Sequence, residues 1–144
     1  MRFMVITKAT ADTESGRPAG TEEIARMGAF IQEMVDAGVM LAAEGIHPSA
    51  KGARIYFDGE KKTVVDGPFA ETKELVGGFF LVETKTLEEC VEWFKRCPNP
   101  APGVQTNIEI RQVFTAEDFG ENFTPERQAA VEALRERAAA QHDN

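Results

Sequence analysis

Apolar runs and two amphipathic segments alternate along the chain in a pattern typical of a mixed α and β domain. Four runs predict the strands of one sheet, over residues 3–8, 39–46, 74–84 and 104–114. A first helix is predicted to begin at the N-cap Thr21 and end near Gly38, with an apolar face of Ile24, Met27, Ile31 and Val35. A second helix, closed by Pro98, is marked by Leu87, Val91 and Phe94.

A hairpin is predicted between the second and third runs. Its arms are residues 54–57 and 63–65, and Asp58-Gly59 is the turn signal between them. The order β-α-β, hairpin insert, β-α-β is that of a ferredoxin-like α+β domain, which we assign to residues 1–115. Thr124-Pro125-Glu126 begins an appended helix within a C-terminal extension, residues 116–144. Its thin apolar stripe predicts weak packing.

The strands at residues 3–6 and 79–82 are apolar on both faces. The two helices of a ferredoxin-like unit cover only one face of the sheet, and a large apolar surface is unfavourable in water. A second copy packed sheet to sheet would cover the other face, so we predict a homodimer. The alternative is that the hairpin or the C-terminal helix folds over this face.

Composition excludes several classes of function. The net charge of −8 disfavours binding to nucleic acid, which requires neutralisation of phosphates by Lys and Arg. No apolar run approaches the roughly 20 residues that span a bilayer, and the first residues enter a strand without a signal-peptide pattern, so we expect a cytoplasmic protein that does not bind membranes. Cys90 and Cys97 are expected to be reduced thiols, and the spacing of cysteines and histidines predicts no metal site. No nucleotide-binding motif is present, and no cofactor is expected.

Candidate chemistry centres on His47 and Asp66. His47 titrates near neutral pH when unperturbed, and the proline after it favours an extended backbone. If Asp66 meets the imidazole, it can hold one nitrogen protonated and leave the other free to accept a proton from a substrate. The alternatives are that His47 bonds to a backbone carbonyl and that Asp66 only closes its own turn.

Five further residues are candidates for binding a substrate: Glu44, Glu71, Lys73, Gly77 and Gly78. Glu44 lies in an apolar strand, so it either faces solvent or lines a polar pocket. Glu71 and Lys73 either pair with each other or bind a charged group of the substrate. Gly77-Gly78 indicates a bulge or the close approach of a ligand, of another backbone or of the dimer partner. The polar segment 9–20 is either a lid over a pocket or a solvated loop.

The blocks at residues 44–49, 66–74 and 77–80 resemble the YCII-related proteins, and specifically their DGPF branch, with further matches at 38–39, 92–98 and 108–111. The resemblance covers residues 1–115, and the nine-residue block that begins Asp66-Gly67-Pro68-Phe69 is its most specific part. It implies a ferredoxin-like dimeric α-β barrel with a cleft near the dimer interface. His47 and Asp66 match the histidine and aspartate of the proposed catalytic pair, and Glu71 and Lys73 are carried over as further candidates.

The resemblance leaves several functions open. Some YCII relatives resemble lyases that eliminate halide from small ring-cleavage acids, but they place their histidine differently, so that activity is not carried over. We expect a cofactor-independent acid–base lyase or isomerase that acts on a small metabolite. The alternatives are a non-catalytic dimer that binds a small molecule or a regulator, since some relatives are similar to proteins encoded beside alternative sigma factors, and a dimeric scaffold.

Overall fold

A four-stranded antiparallel sheet organises the first part of the chain in a computed structural model that describes residues 1–71 and 74–143. The strand order is β2-β5-β1-β6, and β3 and β4 form a separate two-stranded hairpin. The strands are β1 (Arg2–Lys8), β2 (Met40–Gly45), β3 (Ala53–Asp58), β4 (Lys61–Asp66), β5 (Val76–Glu83) and β6 (Ile108–Gln112). The helices are α1 (Ala11–Glu14), α2 (Thr21–Asp36), α3 (Leu87–Phe94) and α4 (Pro125–His142), with 3₁₀ turns at Ser49–Lys51 and Ala116–Asn122.

The chain divides into two compact units, Met1–Gln112 and Val113–Asn144. In the first unit, α2 and α3 both contribute to one buried cluster with β1 and β5. The cluster contains the sheet residues Phe3, Val5, Phe80 and Val82 and the helix residues Phe30, Met34, Cys90 and Phe94. Three of its rings meet edge to face, with centroids 5.2 to 6.4 Å apart. The fold is therefore a mixed α+β layer structure, as the sequence predicted.

The buried face of α2 overlaps the predicted one only in part. Met27 and Ile31 pack against the buried cluster, as predicted, but the fully buried residues are Phe30 and Met34. Ile24 and Val35, the other two predicted residues, are 61% and 51% exposed. The predicted stripe and the buried stripe both satisfy the spacing of three and four residues, and they lie side by side on the helix. The sheet therefore selects the stripe that carries the larger Phe30 ring, which packs against Phe80 and Phe94.

The second face of the sheet is apolar and only half-buried. Met4 pairs with Leu81 and Ile6 with Phe79 across β1 and β5, and directly paired residues point to the same face. Within β1 and β5 these half-buried residues alternate with the buried ones, which confirms that both strands are apolar on both faces. The hairpin does not cover this face, because its own apolar residues are exposed. We call Met4, Ile6, Phe79 and Leu81 the open face.

Several details of the secondary structure differ from the predicted ones. Gly20, rather than Thr21, is the N-cap of α2. The last strand is limited to Ile108–Gln112, because residues 104–107 form the end of a loop. Segment 9–20 contains the short helix α1, in which Thr10 and Thr13 form a reciprocal capping box.

The second unit contains an aromatic cluster and the helix α4. The rings of Phe114, Phe119 and Phe123 follow one another at centroid separations of 5.0 and 5.1 Å. Thr124 caps α4 through its side chain, as predicted, and accepts a hydrogen bond from the Arg127 N–H. No residue of α4 in the described part of the chain is buried, in agreement with its thin apolar stripe.

Candidate functional site

Ser49 connects three segments that are distant in sequence. Its backbone N–H donates to Glu14 Oε1 at 2.9 Å, and its hydroxyl donates to Glu14 Oε2 at 2.5 Å. The same hydroxyl accepts a hydrogen bond from the Phe69 N–H at 3.0 Å. Segment 9–20, the turn after His47 and the turn after Asp66 are therefore held together at one side chain.

The backbone at Gly67 packs against this same turn. A Cβ atom at position 67 would lie 1.7 Å from the Ser49 carbonyl oxygen and 2.6 Å from its carbon. The Gly67 N–H donates to the Gly52 oxygen at 2.9 Å, and the Gly67-Pro68 peptide bond is cis. Only glycine allows the two turns to approach this closely, which gives a physical reason for glycine after Asp66.

His47 and Asp66 lie on the two turns that Ser49 connects. His47 follows β2 and Asp66 is the last residue of β4, and both side chains are exposed. Among the described residues of the single chain, neither side chain hydrogen bonds or forms an ion pair with the other. The coupled pair stays a prediction, although the segments that carry the two residues are in contact.

The acidic and basic candidates are not gathered into one cluster. Glu44 pairs with Phe79 across β2 and β5, so its side chain lies on the same side of the sheet as the open face and is exposed there. Glu71 forms an ion pair with Arg54, with 3.4 Å between Oε2 and Nη1. Lys73, which the sequence offered as a partner of Glu71 or of a substrate, lies outside the described residues.

Gly77 and Gly78 lie where three strands crowd together. The β1–β5 register shifts between Thr7 and Lys8, which leaves Gly77 as an extra residue in β5. A Cβ atom at Gly77 would lie 3.2 Å from the Lys8 oxygen, and one at Gly78 would lie 2.8 Å from the Glu44 oxygen. Both expected features, a bulge and a close backbone approach, are thus present, and the approaching backbone belongs to the same chain. A role in binding substrate stays a prediction.

Two residues of this region, Glu14 and Arg54, were missed by the sequence analysis. Glu14 lies in a polar segment that gives no signal of its bond to Ser49, and only the fold brings the two together. Arg54 lies over the Phe69 ring, with 3.9 Å from guanidinium carbon to centroid. Hydrogen bonds to Tyr56 and to Glu71 raise the pKa of Arg54, so this side chain stays a cation beside the turn. Alternation along β3 signals only that Arg54 and Tyr56 share a face.

Two clefts lie around the loop that follows α3, and neither is lined by a residue of the turns after His47 and Asp66. A cleft of about 380 Å³ is lined by Cys97 and by the polar residues Asn99, Gln105, Thr106 and Asn107, among others. A cleft of about 360 Å³ lies between Arg26, Phe30, Glu33 and Arg96. Burial raises the pKa of Cys97 to about 11, so its thiol is a weak nucleophile. Neither cleft includes a residue that the sequence analysis selected for chemistry.

The described residues contain neither a metal-binding cluster nor a membrane-spanning helix. No group of three or more His, Cys, Asp or Glu side chains in residues 1–71 and 74–143 is arranged to hold a metal ion. None of the helices in these ranges is both long enough and apolar enough to cross a membrane.

Comparison with known proteins gives the chain its family. An uncharacterized protein of Rhizobium meliloti (strain 1021) is 30% identical over 85 residues, which are 59% of this chain and 68% of the relative. Among solved structures, 5-chloro-2-hydroxyhydroquinone dehydrochlorinase (TftG) from Burkholderia phenoliruptrix AC1100, in complex with 2,5-dihydroxybenzoquinone, is 13% identical with a TM-score of 0.46. That likeness covers 79% of this chain and 94% of TftG. The YCII-related domain matches residues 1–114, so the chain belongs to the YCII-related domain family.

Proposed function

We propose that the chain is a cofactor-independent acid–base enzyme, a lyase or isomerase, that acts on a small metabolite in a cleft near the dimer interface, beside the turns that carry His47 and Asp66. The observation that carries the proposal is the set of hydrogen bonds at Ser49, which fixes these two turns against each other. His47 and Asp66 thus lie on adjoining segments that these hydrogen bonds hold together. Close backbone packing at Gly67 adds a further contact between the two turns.

In the proposed mechanism, His47 is the general base. Asp66 accepts a hydrogen bond from one imidazole N–H, and the other nitrogen, whose lone pair is then free, takes a proton from a carbon or hydroxyl of the substrate. Catalytic hydrogen bonds are often absent or long before a ligand binds, so the pair is expected to close around the substrate. Glu71 and Lys73 follow the Asp66 turn, and Lys73 would anchor an anionic group. Glu44, Gly77 and Gly78 would line the cleft and contact the bound substrate.

A second copy of the chain would complete the walls of the proposed substrate cleft. The strand order β2-β5-β1-β6, with both helices packed on one face, supports the ferredoxin-like assignment. The block at residues 66–74 is the feature that favours the DGPF branch. The open face supports a dimeric α-β barrel, since Met4, Ile6, Phe79 and Leu81 would be buried by sheet-to-sheet packing. Glu44 points from this same face, so the cleft would lie near the dimer interface.

A non-catalytic dimer that binds a small molecule, with a regulatory role, is the second candidate. The observation that favours it is the separation of the two key side chains, because His47 and Asp66 are each exposed and not bonded to one another in the described chain. A ligand could bind beside His47 and Asp66 without any transfer of a proton.

The His47–Asp66 pair can be tested by the tautomer of the imidazole. ¹⁵N NMR of histidine-labelled protein at a pH where the imidazole is neutral reports which nitrogen carries the proton. We expect one dominant tautomer at His47 in the wild type and a mixture in Asp66→Asn. His142 is the internal reference, and Asp58→Asn, at the other end of the hairpin, is the matched control. An identical tautomer ratio in wild type and Asp66→Asn would contradict the pair.

A thermal-shift screen separates enzyme from binder. Each metabolite that raises Tm is incubated with wild type and with His47→Asn, and the solution is followed by NMR. Conversion by the wild type but not by His47→Asn supports the enzyme. A metabolite that stabilises both variants and is recovered unchanged supports the binding dimer.

A further inference from the structure

The outer face of the hairpin is an exposed apolar strip. The β3–β4 register pairs Ala53 with Asp66, Ile55 with Val64 and Phe57 with Lys62, so these six side chains share one face. Ile55, Phe57 and Val64 are 55%, 70% and 63% exposed. Together they present apolar area on the order of 300 Å², the size at which a patch on a monomer often marks an interaction site. We call these six residues the outer strip.

The opposite face of the hairpin is engaged by the chain itself. Arg54 lies on that face, where its guanidinium covers the Phe69 ring and pairs with Glu71. On the outer strip, Lys62 Nζ lies over the Phe57 ring at 5.9 Å, a contact between two residues of the strip itself, and the three large apolar residues stay more than half exposed. An isolated two-stranded hairpin is only marginally stable in water, so coverage of the outer strip would stabilise it.

The charges on the outer strip identify its partner. Lys62 and Asp66 flank Val64 at i−2 and i+2 on β4. The strip therefore carries a positive charge near the hairpin turn and a negative charge at the opposite end. Under a twofold axis that passes near Val64, Lys62 of each copy faces Asp66 of the other, and the apolar centres meet. A strip with one acid and one base offers no net charge to a nucleic acid or to an anionic membrane surface, and the whole chain, at −8, repels both.

We propose that the outer strip is a self-association surface, in which two hairpins pack face to face and the partner's Lys62 pairs with Asp66. The three apolar residues of two copies would bury about 600 Å², about half of the lower bound for a specific interface, so flanking side chains would have to bury a similar area. This surface is distinct from the open face of the sheet. It does not depend on the proposed chemistry, and it touches the proposed site only at Asp66.

Charge reversal tests the pairing by sedimentation velocity over a range of concentrations. We expect Lys62→Asp to abolish one association step, because it sets like charges against each other across the twofold axis. Asp66→Lys should do the same, and the double swap Lys62→Asp with Asp66→Lys should restore the step. Lys61→Asp, on the opposite face, is the matched control. Association that is unchanged by Lys62→Asp overturns the proposal, whatever the tautomer experiment on His47 shows.

Cross-linking tests the geometry without a change at Asp66. Val64→Cys places a thiol close to the proposed twofold axis, whereas Thr63→Cys places one on the opposite face of the same strand. Under mild oxidation, we expect Val64→Cys to form a covalent dimer several-fold faster than Thr63→Cys. Equal rates would overturn face-to-face packing of the hairpins. Circular dichroism of each variant confirms that the fold is retained.

Discussion

Substitution of Gly67 by alanine should disrupt the junction between the two turns. The added Cβ would lie 1.7 Å from the Ser49 carbonyl oxygen, so one backbone must retreat by roughly 1.8 Å to reach an ordinary separation. Rotation of a side chain cannot relieve the overlap, because both the oxygen and the new Cβ are fixed to backbone. A retreat of this size also breaks the 3.0 Å hydrogen bond from the Phe69 N–H to Ser49 Oγ.

The cost can be estimated from these two losses. Overpacking in a close contact costs about 1–3 kcal/mol. Loss of the hydrogen bond adds about 1 kcal/mol. We therefore expect Gly67→Ala to lower the free energy of unfolding by about 2–4 kcal/mol, which for a chain of this size lowers Tm by roughly 10 °C. If the hairpin separates locally instead, the Phe69 amide will exchange with solvent much faster while Tm changes less.

Thermal unfolding and hydrogen exchange of Gly67→Ala provide the assay, and Gly52→Ala is the matched control in the same region. A Cβ at Gly52 has its nearest neighbour at 3.4 Å, an ordinary contact, and the backbone there is extended, so this variant should unfold like the wild type. If Gly67→Ala matches Gly52→Ala in both Tm and Phe69 exchange, the junction does not have the packing described and the proposed site loses its support.

Three other predictions concern stability and reactivity. Ser49→Ala should cost about 1–3 kcal/mol and speed exchange of the Phe69 amide, and unchanged exchange would contradict the role of Ser49 as a connector. Phe80→Ala should cost about 3–5 kcal/mol in urea unfolding, because it empties the centre of the ring cluster, and a loss below about 1 kcal/mol would refute that packing. Burial raises the pKa of Cys90 and of Cys97 to about 11, so iodoacetamide at pH 8 should modify them slowly in the folded protein and rapidly in urea. The thiols ionise at about pH 8.5 in the unfolded chain. The contribution of the buried, protonated thiols to the free energy of unfolding is therefore complete below that pH and is lost as pH rises toward 11. Urea titrations at pH 7, 9 and 10.5 would check this loss.

The sequence by itself determined which segments become strands and helices. The continuous apolar runs at residues 3–6 and 79–82 required a sheet with two apolar faces, because successive side chains on a strand point to opposite sides. The blocks around His47 and Asp66 identified the family and the candidate residues before any contact was known. These features depend on local periodicity and on residue type, which a sequence displays directly.

Only the tertiary structure decided which surfaces meet. Helical spacing correctly predicted that Met27 and Ile31 of α2 pack against the core, but only the tertiary structure shows that Phe30 and Met34 are fully buried. The bond between Glu14 and Ser49 spans 35 residues of sequence, and no local pattern encodes it. The glycine at position 67 is required by a backbone that belongs to a different turn. Such contacts follow from the way distant segments pack, because packing depends on three-dimensional shape and volume, which no single stretch of sequence specifies.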